Sequence, residues 1–137
     1  MDPPQHTRFR RIIDPYFTPK RMKPFAPAFR SITRRLVAAV PDGEVEVMDA
    51  LGDPFAAQVQ CTFMGWPTRL HGTLRDWTTS NQEAIRRQDQ PRLARLATSF
   101  DAIITAQLDE RRSSDRPPDD TTTQLLGETC RRSCADR

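Results

Sequence analysis

The sequence predicts an all-α chain, on three observations. Apolar residues recur every three or four positions along most of its 137 residues, the spacing of one helix face. Most of the twelve prolines fall at the starts of these runs or between them. Only one stretch, Glu44-Val45-Glu46-Val47, alternates polar and apolar residues as a strand would, and it is too short to build a sheet.

The elements follow in order. Asp2 is a helix cap and Pro3-Pro4 suit a first turn, where missing N–H donors cost little and the ring presets a helical φ. A first helix runs on through Gln5 to Ile13. Thr18-Pro19 opens a second, in which Phe25, Phe29, Ile32, Leu36 and Val40 share a face. Pro24 and Pro27 are tolerable only near a helix start, so this helix is expected to begin irregularly and become regular from about Phe25 or Ala28. Pro41-Asp42-Gly43 is a turn, and residues 44–47 form a short extended segment. From Asp53-Pro54 the dense run Phe55, Ala56, Val59, Cys61, Phe63, Met64 reads as a buried helix closed by Gly65 and Pro67. A polar helix over about 69–87 is expected to turn Leu70, Leu74 and Trp77 inward on a thin apolar stripe, with Ile85 an optional fourth. Another starts at Gln90-Pro91, with Leu93, Leu96, Phe100, Ile103, Ile104 and Leu108 on one side, and ends at Glu110-Arg111-Arg112. After a polar loop, a short helix is expected over Thr121–Leu126, and from Gly127 the periodicity fails.

The bulk properties set bounds. The chain has room for one domain, and an apolar content of 36% with a mean hydropathy of −0.68 predicts sparse burial. The net charge of +3 is unevenly spread: residues 1–40 hold nine Lys or Arg against two acids, whereas residues 41–60 hold five acids and no base. No apolar run approaches the roughly 20 residues of a membrane span, and no basic-then-apolar leader opens the chain, so a cytoplasmic protein without membrane contact is expected. Three cysteines, an odd number, point to reduced thiols.

The most specific chemistry lies at the start. In Asp2-Pro3-Pro4-Gln5-His6-Thr7-Arg8-Phe9-Arg10-Arg11, His6 and Arg10 are spaced as i and i+4 on one helical face and can donate to the same carboxylate or phosphate. Either residue alone is unremarkable on a solvated helix. The combination with Phe17-Thr18-Pro19-Lys20-Arg21 is far more specific, and it resembles the bacterial cytochrome P450 family at the helix lying against the haem. The resemblance covers about residues 1–126 and includes the run from Met48-Asp49 to Gly65, Arg111-Arg112, Asp119-Asp120 and Leu125-Leu126.

The resemblance implies a partial cytochrome P450 fold, from the haem-facing helix to the region before the long central helix. It implies haem as cofactor with His6 and Arg10 on its propionates, Arg11 on the surface that meets a ferredoxin-type electron donor, and a small organic substrate. The complete form would be a haem-thiolate monooxygenase inserting one oxygen atom from dioxygen. A member of the family also needs an iron-ligating cysteine in a Phe- and Gly-rich loop, a dioxygen-handling central helix and a core-locking E-x-x-R pair. The loop and the central helix are absent from this sequence, and that pair is not expected among these residues, although the bare spacing occurs at Glu83–Arg86 and Glu128–Arg131. The expectation is therefore a truncated, catalytically inactive chain with no residue assignable to catalysis. Residues 127–137, including Cys130 and Cys134, read as an unrelated or out-of-frame tail, disordered and without metal.

Two other chemistries compete. Cys61 with His71 is a poor nucleophile pair, because Cys61 falls on the buried face of its helix. The basic residues Arg30, Arg34 and Arg35, with those of the first forty positions, suggest a small helical nucleic-acid-binding protein as the alternative. Against it, the aromatic residues lie on the apolar stripe and not among the basic ones.

Overall fold

The computed structural model describes the backbone of residues 3–135 and the side chains of residues 6, 7 and 10–128. Among the described residues the secondary structure is entirely helical: α1 Pro3–Ile13, α2 Pro19–Met22, α3 Ala26–Ala38, α4 Asp53–Met64, α5 Leu70–Arg86, α6 Gln90–Arg112 and α7 Thr121–Ala135. Short 3₁₀ turns at Asp14–Phe17 and Lys23–Phe25 join α1, α2 and α3, each with a proline near its start. The irregular opening expected for the second helix is thus present, and regular helix begins at Ala26.

Residues 44–46 carry no regular structure, and the chain then winds into a π-helical turn, Met48–Gly52, that leads directly into α4. The segment expected to be extended pairs with no strand, so its backbone has no ladder to enter. The amide of Asp49 instead takes the Glu46 carboxylate at 2.7 Å, a local bond that starts the helical winding.

Helix α4 is central. Ala57, Cys61, Trp66 and Leu74 form the core cluster, against which Met64, Leu70, Phe100, Ile103 and Ile104 pack from α4, α5 and α6. A second apolar contact ties in the first third of the chain: the Phe63 ring lies 5.3 Å from Phe17 and 5.4 Å from Phe25, which in turn stacks on Phe29 at 5.8 Å. Cys61 is fully buried, and burial pushes its thiol pKa up, as expected of an inert core cysteine.

Helix α4 ends at Gly65, whose φ of +74° places it in the left-handed region. A Cβ there would also fall inside van der Waals contact with the Asp120 side chain. Gly65→Ala is therefore expected to cost at least the roughly 1–2 kcal/mol of a left-handed non-glycine residue, with the collision added. A lowered urea midpoint by far-UV dichroism checks this.

Further expectations need correction. Ile85, expected on the inward face of its helix, is more than half exposed. The apolar stripe of α6 is only half-buried, and its fully buried side chains are the polar Gln107 and Arg111. Helix α7 does not stop near Leu126: it crosses Gly127 and continues to Ala135, where a disordered tail was expected. A helical glycine costs only about 1 kcal/mol relative to alanine, and nothing lies close enough to Gly127 to oppose the winding.

Candidate functional site

Helix α1 presents the expected pair. His6 and Arg10 are both exposed and one turn apart, and Arg11 is exposed beside them. Arg10 and Arg11 occupy the last turn, where cationic side chains complement the helix dipole. The Arg10 guanidinium also reaches Asp14, at 3.1 Å, on the 3₁₀ turn that follows. Both partners are more than half exposed, so this pair contributes about 1 kcal/mol or less and yields readily to a competing anion. The arrangement is an exposed, two-donor face.

A cavity of about 680 Å³ lies elsewhere, between the Pro15–Phe25 region, α4 and the start of α7. Arg21 sits over the Tyr16 ring at 4.8 Å from its centroid and bonds to Gln124 of α7, and Gln124 bonds to Asp119 at 2.9 Å. These contacts hold the Pro19 turn against α7.

Sequence reasoning missed the most buried polar cluster. The Arg111 side chain is 4% exposed and that of Asp120 12%, with Nη2 to Oδ2 at 2.7 Å. Arg111 also donates to the Gly65 carbonyl at 2.9 Å and the Gln107 carbonyl at 2.8 Å, and Asp120 accepts from the Thr123 amide at 2.8 Å. Burial alone would raise the Asp120 pKa, but the hydrogen bonds from Arg111 and Thr123 and the Arg111 charge outweigh it and hold the carboxyl below its usual value. Beside this pair, the Trp66 indole donates to Thr122 Oγ1 at 3.0 Å, and Thr122 donates to the Met64 carbonyl at 2.7 Å. The end of α4 is thus stitched to α6 and to the start of α7. Arg111 and Asp120 were visible in sequence only as charges near helix ends, where such residues are usually solvated.

The other candidates separate. His71 is half-buried, and its pKa is lowered by burial and by the nearby charge of Arg35, which itself bonds to Gln58 at 3.2 Å. No cluster of three His, Cys, Asp or Glu among the described residues can hold a metal ion. The side chains of Cys130 and Cys134 lie outside the described set. Phe25, Phe29 and Phe63 are engaged with one another and not interleaved with the basic side chains of α2 and α3.

Comparison with known proteins decides the ancestry. No family model matches the chain. The erythromycin C-12 hydroxylase of Saccharopolyspora erythraea is 26% identical over 133 residues, covering 92% of this chain and 32% of that protein. The cytochrome P450 monooxygenase PikC of Streptomyces venezuelae is 30% identical over 118 residues, covering 83% of this chain and 27% of its own length. The structure of open cytochrome P450 EryK from S. erythraea superposes with a TM-score of 0.73 at 26% identity, over 92% of this chain and 32% of that one.

The chain is a homologue of the bacterial cytochromes P450.

It spans about a third of the length of the P450 relatives it matches. Nothing in the structure or among these relatives supports the nucleic-acid-binding alternative. No helix among the described residues is long and apolar enough to cross a membrane.

The described residues fit only part of the haem that P450 ancestry implies. His6 and Arg10 suit its carboxylates, whereas Cys61, sealed inside α4, offers no iron ligand. No reaction step is derivable through haem from these residues.

Proposed function

We propose that this chain supplies the propionate-facing part of a cytochrome P450 haem-thiolate monooxygenase, with residues 1–126 as the unit that carries the resemblance. The single observation behind the proposal is the exposed His6 and Arg10 pair, one turn apart on the first helix of a P450 homologue. Each donates toward a haem carboxylate, with Arg10 exchanging Asp14 for it. Arg11, exposed on the same helix, belongs to a surface for an acidic electron donor of ferredoxin type. The substrate is a small organic molecule, and the reaction of the complete enzyme is insertion of one oxygen atom from dioxygen. The described residues include no catalytic group, so the chain alone is inactive.

Haem titration of the purified chain tests this. Weak association is expected, without the reduced, carbon monoxide-bound Soret band of a thiolate ligand. Exposed charge pairs are each worth about 1 kcal/mol or less, so His6→Ala with Arg10→Ala is expected to weaken the association several-fold. Unchanged association in the double variant would remove the propionate assignment, and a thiolate-type Soret band would overturn the claim of inactivity.

A further inference from the structure

A cavity of about 270 Å³ opens between α4, α5 and α6, walled by Trp66, Trp77 and Phe100, with Ala56 and Ala57 leaving the space and Asp53 at its edge. Trp77 and Phe100 stack on each other with ring centroids 4.4 Å apart, which holds both rings in place at the side of the cavity. Both indole N–H groups are already used: Trp66 donates to Thr122 Oγ1 at 3.0 Å and Trp77 to the Leu96 carbonyl at 2.8 Å. These bonds fix the rings and leave only their π surface and edges to offer a ligand.

Asp53 supplies the charge. It is half-buried, and its carboxylate makes no hydrogen bond or ion pair among the described residues. No lysine, arginine or histidine lines the cavity. An anionic ligand is repelled there, and a neutral one leaves the carboxylate uncompensated.

We propose that this cavity is a binding site for a small alkylated ammonium ion. A quaternary or tertiary ammonium carries its charge on methyl groups that pack against aromatic rings and needs few hydrogen-bond acceptors, whereas a primary ammonium brings three donors. The volume falls just under the pocket range of about 300–1,000 Å³ typical of drug-sized ligands, which limits the occupant to a compact head group. The site lies apart from His6 and Arg10 and is independent of the propionate assignment.

The test is titration of the full chain by intrinsic tryptophan fluorescence, with choline and with its uncharged carbon isostere, 3,3-dimethylbutan-1-ol. A cation–π contact with a nearby carboxylate is worth about 1–2 kcal/mol, so choline should saturate and bind about ten-fold more tightly than the alcohol. Asp53→Asn should erase that preference, Asp53→Glu should keep it, and Ala56→Leu, which fills the cavity, should lose both ligands. The proposal falls if choline gives no saturable change, if the alcohol binds as well as choline, or if Asp53→Asn retains the preference. Should Asp53→Asn lose far-UV helicity, the ratio measured on the unaltered chain decides.

Discussion

Arg111→Ala is expected to destabilise the chain by about 3–5 kcal/mol, because it leaves a buried carboxylate without its partner. The Gly65 and Gln107 carbonyls lose a donor in the same step. Domains of this size are held by roughly 5–15 kcal/mol in total, so the loss takes a sparsely buried chain close to unfolding. Urea denaturation followed by far-UV dichroism measures it. Removing both charges, as Arg111→Met with Asp120→Leu, should recover much of the loss, since no isolated charge then remains buried. Equal damage from the single and double variants would show that the ion pair itself, and not the stranded carboxylate, sets the stability. The same pair gives an acid dependence. The Asp120 pKa is lower folded than unfolded, so its stabilisation is fully present above the unfolded value and is lost as pH falls through the folded one. Asp120→Asn should flatten that acid limb.

The second large effect is expected in ANS fluorescence. Between α3 and the π turn lies a cleft of about 280 Å³ lined by Leu36, Val37, Val47, Met48, Leu51 and Phe55. Val37, Val47 and Met48 are each more than half exposed. Such a cleft is open to an apolar dye. The chain should enhance ANS emission strongly at this cleft while keeping high far-UV helicity. Val47→Lys with Met48→Gln, both at exposed positions, should remove most of the enhancement without altering helicity. A sharp two-state thermal transition at high temperature with no ANS binding would contradict this picture.

Helix positions were largely legible in sequence, because prolines mark their starts and Gly65 marks the end of α4. Three features were not. Glu44–Val47 has the alternation of a strand, but a strand needs a partner, and the pattern of one segment cannot reveal whether a second exists. Gly127 is a weak signal, because its cost is small where nothing crowds the helix. Arg111 and Asp120 are the instructive case. Charged residues near helix ends are nearly always solvated, and only the close return of Gly65 and Thr122 to the same place converts this pair into a buried one. For the candidate site, the His6 and Arg10 spacing was readable because helical periodicity alone makes them neighbours. The cavity walled by Trp66, Trp77 and Phe100 was not, because it joins three helices.

The ion pair between Arg111 and Asp120 also closes the loop that connects α6 to α7. With its two ends clamped, the exposed stretch Ser113–Arg116 can lengthen without moving either helix. Each doubling of a closed loop costs only about 0.6 kcal/mol. A peptide epitope or a small reporter domain can therefore be spliced in at Ser114, which gives a means of labelling this chain that leaves α1 and its basic face untouched.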